Sequence, residues 1–372
     1  MAQKKKPLLP HNPNKIVVIQ TAFLGDIVLA TSFLRSLRAL FPLAEIQLVT
    51  TPIGVQILTP NSWDIQLVSF DKRGKEKGPR GLFRKIRALR MSKPDLVFCL
   101  HRSLRSTILA TSLKAKLTVG FKEAAASFLF SRHVARKKFL FEAEKNNALL
   151  AELFSEVELQ RVSFEKTPEL SISEAQATES EKMLEELGGA KFVAMAASSV
   201  WATKRWPAEK FGELALLIVR RYGTRSVIIG GNDAEDKKIA ARVLASFSSL
   251  ATEDEKAAAP LDLTGKTSLG ALKAVIARAT LLISNDSAPL HIGSAQQVPV
   301  VAIFGPTTKS LGFFPHTAPE DSIVVEQQGL SCRPCGKHGH DRCPLTHFRC
   351  MLDISAPDVL RATDAWLGKD RA

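Results

Sequence analysis

The sequence predicts an α/β protein of two domains, each built on a parallel sheet. Three observations carry this. The chain has 372 residues, more than one ordinary core serves. Apolar strands alternate with helical patterns in both halves, the order that builds right-handed βαβ units. Residues 281–306 compress one such unit: the strand Leu281–Ile283 runs into a polar turn, Ser284–Ser287, a short helix follows, and Val300–Phe304 is a second strand closed by Gly305-Pro306. Small, polar and acidic residues stand where the first strand ends. Parallel sheets bind ligands there, and helix amides can hold an anion such as a diphosphate.

Residues 1–14 are basic and proline-rich and read as a tail. Ile16–Gln20 is a buried strand, Thr21–Gly25 a turn, and a helix runs from about Asp26 to Phe41, with Ile27, Ala30, Phe33, Leu34, Leu37, Leu40 and Phe41 at helical spacing. Pro42 ends it before the strand Glu45–Thr50. Residues 72–90 carry nine basic residues against the single acid Glu76. Gly74, Gly78, Pro79 and Gly81 make their first half a loop, and Leu82–Met91 is a basic amphipathic helix. Asp95–Leu100 is a strand ending at His101-Arg102-Ser103, Thr107–Lys114 a helix, Leu117–Gly120 a strand and 142–161 a helix. The stretch 162–175 reads as the linker, which sets a first domain at 15–170 and a second at 171–350, followed by a last segment, 351–372. In the second half, Ser173–Leu187 is a helix and Phe192–Ala197 a strand. The loop Ser198–Arg205 leads to a helix with Pro207 at its start and Gly223 beyond its end. Ser226–Ile229 and Leu261–Leu263 are strands, Ala234–Ser246 and Leu269–Ala279 helices. A final helix spans about Ala356–Gly368.

Apolar residues at 45% and charged residues at 24% are ordinary for a globular protein, and a net charge of +14 points to an anionic partner: nucleic acid, an anionic membrane surface or a phosphorylated substrate. Lys4, Lys5 and Lys6 precede the apolar stretch Ile16–Leu34, but Gln20, Asp26 and several hydroxyl residues interrupt it, which argues against a signal peptide or anchor. Cys99 lies in an apolar strand. The other four cysteines, Cys332, Cys335, Cys343 and Cys350, crowd one stretch, so no disulfide framework spans the body.

Five motifs can carry chemistry. Gly25-Asp26 closes the first strand; Asp26 fits a helix cap, or a general base whose strength would have to come from desolvation, because the helix dipole weakens it. Ser198 and Ser199 with Lys204 suit a diphosphate, the lysine neutralising charge on a departing phosphate; a solvated loop lysine is the plain alternative, and Trp201 and Trp206 read as packing. Asp286 suits sugar hydroxyls, and Ser287, Ala288 and His291 suit phosphate oxygens; a capped helix with a buried histidine is the alternative. The Cys332-x2-Cys335 pair is a zinc signal without a second tight pair, so packing or reduced thiols compete with it. The basic stretch 72–90, with Arg102 and Arg105, is either a solvated face or a surface for phosphates or anionic lipid. Few aromatics interleave with it, against single-stranded nucleic acid. Walker and Rossmann glycine motifs are absent, against a dehydrogenase or P-loop enzyme.

Taken together, Ile16–Asp26 with its helix, Ser198–Pro207, Ser284-Asn285-Asp286-Ser287-Ala288-Pro289-Leu290-His291 and Phe304-Gly305-Pro306-Thr307 resemble the ADP-heptose:lipopolysaccharide heptosyltransferases, glycosyltransferase family 9, over roughly residues 15–368. Cys332-Arg333-Pro334-Cys335 through Cys343 and Arg349-Cys350-Met351 resembles the tail of the heptosyltransferase II branch. The resemblance implies a GT-B fold, two Rossmann-like domains whose parallel sheets face a cleft, with the last helix returning to the first domain. It implies an inverting transfer of L-glycero-D-manno-heptose from ADP-heptose to the lipopolysaccharide inner core, with no metal and no cofactor; no Asp-x-Asp occurs in the chain. Carried over by motif, Asp26 is the base, Lys204 stabilises the leaving group, and Ser198, Ser199, Asp286, Ser287, Ala288 and His291 bind the donor; the basic residues Arg84, Arg87, Arg102 and Arg105 are expected to meet the acceptor's phosphates. Ala288 stands where the family usually has glycine. The implied setting is a cytoplasmic monomer, peripheral on the anionic inner face of the inner membrane, meeting a lipid A–inner core acceptor and no nucleic acid. Two other readings stay open: a related glycosyltransferase for another nucleotide sugar or acceptor, and a non-catalytic protein that binds anionic glycolipid.

Overall fold

The computed structural model describes residues 12–137, 140–316 and 321–368; the tail 1–14 therefore lies outside them except for residues 12–14. The chain divides into two compact units between Ser171 and Ile172.

The first unit contains β1 (Lys15–Gln20), α1 (Leu24–Leu29), α2 (Thr31–Leu40), β2 (Glu45–Thr50), α3 (Pro52–Leu58), β3 (Gln66–Ser69), α4 (Gly78–Arg90), β4 (Leu96–Cys99), α5 (Leu104–Thr111), β5 (Leu117–Phe121), β6 (Arg132–Val134), α6 (Glu142–Ala151) and α7 (Glu156–Leu159). Its six strands run parallel in the order β3-β2-β1-β4-β5-β6. Strand order therefore reverses between β1 and β4. The single helix expected over 26–41 is two helices. Thr31, Ser32 and Ser36 hydroxyls donate to the carbonyls of Val28, Leu29 and Ser32, and such back-bonding competes with the helical ladder. Helix α4 starts at Gly78, earlier than Leu82, because Pro79 fits a first turn whatever its loop-like neighbours suggest. The half-exposed β3, and α3 with its Thr51 cap, carry no clear apolar period and are invisible in the sequence.

The second unit contains α8 (Glu174–Met183), β7 (Phe192–Ala196), α9 (Ala208–Tyr222), β8 (Arg225–Ile228), α10 (Ala234–Leu250), α11 (Glu253–Lys256), β9 (Leu261–Asp262), α12 (Leu269–Ala277), β10 (Leu281–Asn285), α13 (Ala288–Ala295), β11 (Val300–Phe304), β12 (Ser322–Glu326), α14 (Arg349–Leu352) and α15 (Ala356–Leu367). The order is β12-β11-β10-β7-β8-β9, again all parallel. Here the reversal falls between β10 and β7. Gly223 ends α9 in the left-handed conformation that favours glycine.

The buried Val359, Leu360, Trp366 and Leu367 of α15 lie in the second unit's core with Val193, Trp206 and Phe211. The physical reason is a matched face on α9, from which Arg221 and Tyr222 both hold Asp364. Trp206 is a packing residue, as its sequence context suggests: its indole N–H donates to Ile354 O at 3.0 Å, and its ring meets Phe211 edge-on.

Helices α9 and α10 are in close contact at Gly212, where a Cβ would lie 2.4 Å from the Val243 carbonyl oxygen. Backbone cannot yield there as a flexible side chain does. Gly212→Ala is therefore expected to lower unfolding free energy by about 1–3 kcal/mol, read as a shifted midpoint in chemical denaturation.

Candidate functional site

In each unit most of the residues singled out by sequence gather where strand order reverses, at the carboxyl ends of the two strands that flank the reversal. That is where open α/β sheets place ligands.

In the first unit the flanking strands are β1 and β4. Asp26 is not a helix cap: Phe23 holds that position, and Asp26 is the third residue of α1. There it accepts the Phe23 N–H, while burial first, and the negative charge of Glu142 second, push its carboxyl up to about 6 against the pull of Arg102 and Arg136. Desolvation thus outweighs the helix end. Glu142, only 5% exposed, opens α6 and is paired with Arg136 and, at 3.5 Å, with Lys145. Neither Glu142 nor Arg136 stands out in the sequence, because they are distant from Asp26 along the chain and follow no motif.

Beside them is a second polar group. His101 Nδ1 hydrogen-bonds with Thr21 Oγ1 at 3.0 Å and Ser106 Oγ at 2.9 Å. Burial, then Lys72 and Arg102, holds its imidazole down to about 4, so it is neutral at pH 7. Lys72 Nζ donates to the Thr21 carbonyl at 2.5 Å, and Arg105 Nη1 donates to the Lys72 carbonyl at 2.9 Å. Arg105 and Lys72 thus tie the basic loop after β3 to the end of β1. Arg102 and Arg105 stand at this edge. Arg84 and Arg87 do not: both point outward from the exposed face of α4.

In the second unit the flanking strands are β7 and β10. Lys204 Nζ donates to Asp286 Oδ2 at 2.5 Å, and Thr307 Oγ1 donates to the same oxygen at 2.5 Å. Asn285 joins the loops: its Nδ2 donates to Ala197 O at the end of β7, and its Oδ1 accepts Trp206 N–H just past Lys204. Ser199 is buried, with its carbonyl accepting Arg205 Nε at 2.7 Å, and Ser198 precedes it half-buried. Ser287 caps α13 by position but its side chain makes no cap bond. Ser287 Oγ and His291 Nδ1 are both buried and, among the described residues, have no hydrogen-bond partner. Burial lowers His291 to about 4, with Asp286 raising it and Lys204 lowering it further; the ring is neutral. Ala288 starts α13 without a left-handed backbone, so its methyl group is conformationally tolerated.

The cysteine segment packs on these loops. Arg333 donates to the carbonyls of Gly305 and Thr307 and to Glu326, and Cys335 N–H donates to Pro306 O at 2.9 Å. Thr203 N–H donates to His340 O at 3.0 Å, and His340 N–H to Thr203 Oγ1 at 2.7 Å. The segment therefore braces both the Lys204 loop and the Thr307 loop. All four of its cysteines are free thiols. Burial, then the neighbouring cysteines, push Cys335 up and Cys350 up to about 11. Among the described residues no three His, Cys, Asp or Glu side chains are grouped to hold a metal ion, and no helix is long and apolar enough to cross a membrane.

The chemistry of the two edges is a raised carboxylate beside arginines, and a lysine–aspartate pair beside unpartnered hydroxyl and imidazole groups at a helix start. Comparison with known proteins shows what the chain is similar to. The model of the family described as glycosyltransferase family 9 (heptosyltransferase) matches residues 82–342. The lipooligosaccharide heptosyltransferase 2 of Campylobacter jejuni is 25% identical over 351 residues, 93% of this chain and 96% of that protein. Among solved structures, a family 9 glycosyl transferase from Veillonella parvula superposes with a TM-score of 0.80 at 26% identity, covering 96% of this chain and 98% of its own. The ADP-heptose LPS heptosyltransferase II of E. coli gives 0.74 at 20% identity, covering 96% and 100%.

Proposed function

The chain belongs to glycosyltransferase family 9, the heptosyltransferases, and from that premise we propose that it moves L-glycero-D-manno-heptose from ADP-heptose to the lipopolysaccharide inner core, in the manner of heptosyltransferase II, with inversion and without a metal ion. The observation that carries the donor half is the pair of unpartnered buried atoms, Ser287 Oγ and His291 Nδ1, beside Lys204 and Asp286. Buried polar groups are almost always paired. Two orphans at a helix start beside a lysine suit an anionic ligand that completes them.

In the reaction Asp26 takes the proton of the acceptor hydroxyl. That oxygen bonds to the anomeric carbon as the bond from the anomeric carbon to the diphosphate oxygen breaks, and ADP leaves from the opposite face. Lys204, Ser198, Ser199 and the amides of Ser287 and Ala288 take up the charge on the diphosphate. A neutral His291 donates one hydrogen bond without adding a charge. Asp286 holds Lys204 in the free protein and meets heptose hydroxyls when the donor is bound. Arg102 and Arg105 meet acidic groups of the acceptor, a lipid-anchored molecule that brings the enzyme to the inner face of the inner membrane.

Purified protein given ADP-heptose and a heptose-deficient core acceptor is expected to release ADP, in the presence of EDTA as well as without it. Release of UDP or GDP from the corresponding sugars at a comparable rate would overturn the donor assignment. The pH profile is a second check. The base works as the carboxylate, so kcat/KM is expected to fall as pH drops through about 6, where the Asp26 carboxyl takes up its proton.

A further inference from the structure

Helix α4 has a buried face of Gly81, Ile86 and Leu89, and an opposite face that nothing described covers. At 100° per residue, Arg80, Arg84, Arg87 and Met91 fall within one narrow stripe, with Phe83 and Arg90 along its edge. Phe83 is 64% exposed and Met91 80% exposed. The helix contains no acidic residue. Arg80 and Arg87 have no ion-pair or hydrogen-bond partner among the described residues, whereas the acids nearby are already engaged, Glu76 with Lys85 at 2.9 Å and Asp71 with the amides of Gly74 and Lys75. Exposed Arg73, Lys75 and Lys77 extend the basic surface into the preceding loop.

We propose that this stripe of α4 docks the protein on an anionic lipid bilayer, the arginines on headgroup phosphates and Phe83 and Met91 in the interfacial layer. A free phosphorylated sugar would use the cations but leave a phenyl ring and a thioether in water. A bilayer satisfies both, as interfacial amphipathic helices do. The placement has a consequence within the unit. The helix follows β3, so its first turn lies at the same edge of the sheet as Asp26, Arg102 and Arg105, and the intervening loop is tied to that edge by Lys72 and Arg105. A bilayer held against α4 delivers a lipid-anchored sugar acceptor to the carboxyl ends of β1 and β4. The inference rests on the reading of a lipid-borne acceptor, and names the surface that serves it.

The test is co-sedimentation of the full-length protein with vesicles of phosphatidylcholine alone or with about a third phosphatidylglycerol, without donor or acceptor. Binding is expected only to the anionic vesicles and is expected to weaken with added salt. Arg80→Glu and Phe83→Ser are each expected to weaken it about tenfold, with unchanged thermal midpoints because both side chains stand in water. Equal binding to both vesicle types, no binding to either, or anionic binding untouched by Arg80→Glu and Phe83→Ser would overturn the proposal. A basic oligonucleotide-binding face would show as a single-stranded DNA oligomer binding while the vesicles do not, which also overturns it. Since no sugar transfer is measured, failure here leaves the catalytic reading intact. Loss of ADP release in solution would not touch the docking surface.

Discussion

Asp26→Asn is expected to lower the rate of sugar transfer by about a hundred- to ten-thousand-fold, the usual worth of a positioned general base, and at the same time to stabilise the folded protein above pH 7. Both effects come from the same environment. Burial and Glu142 lift the Asp26 carboxyl from 3.8 to about 6, so the folded state binds that proton more tightly than the unfolded chain does. Stability then falls as pH rises between these two values and the cost is fully present above them. Asparagine keeps the shape and removes the charge. Its midpoint should exceed that of the wild type at pH 8, and the difference should vanish near pH 3. Thermal melts at the two pH values, with ADP release on the same samples, check this. An Asp26→Asn protein that is inactive and destabilised at pH 8 would mean that the carboxylate is a structural group.

Glu142 extends the argument. It is the second cause of the raised Asp26, after burial, and it is itself buried between Arg136 and Lys145. Removing its charge leaves Arg102 and Arg136 to act on Asp26 with less opposition. The base is then ionised to lower pH and is weaker. The acid limb of kcat/KM is the reading that separates this from a folding defect, since a merely destabilised protein would lose activity at every pH without moving the limb.

Much of this site was legible in the chain because parallel-sheet proteins put chemistry directly after apolar strands. Asp26 follows Ile16–Gln20, Ser198 and Lys204 follow Phe192–Ala196, and Asp286 follows Leu281–Asn285. Each pairing of strand and polar turn is local, so periodicity alone finds it. What is not local was not legible. That β1 neighbours β4 and β7 neighbours β10 is set by pairing between distant segments, yet it is this reversal that collects Asp26 with Arg102, and Lys204 with Asp286. Glu142 reaches Asp26 through the packing of α6 against α1, and Arg136, in the loop after β6, through its pairing with Glu142. Arg84 and Arg87 are the opposite case. A run of basic residues reads the same whether it faces a substrate or solvent, and only the buried Ile86 and Leu89 decide which way α4 turns. The cysteine stretch read as a zinc signal or as packing and reduced thiols, and its segment braces the Lys204 and Thr307 loops through Arg333, Cys335 and His340.

The lysine–aspartate pair supports the second large effect. Lys204→Met is expected to cost both activity and stability, and the two losses separate on a double mutant. Lys204 and Asp286 side chains are 11% and 6% exposed. With the ammonium gone, the Asp286 carboxylate keeps Thr307 but is buried without a cation, and breaking such a pair from one side costs about 3–5 kcal/mol. Donor turnover should fall by about a hundred- to a thousand-fold, the scale for losing one stabilising group at a developing charge. Adding Asp286→Asn removes the stranded charge while keeping the partner for Thr307, so stability should return toward wild type. Activity should not, because neither the cation for the diphosphate nor the carboxylate for the sugar is restored. If the double mutant regained turnover along with stability, Lys204 would be a structural counter-ion to Asp286 and no more. A Lys204→Met protein with unchanged stability would show that the buried pair contributes no net stability, and its turnover loss would then measure the lysine's action on the donor without a contribution from unfolding.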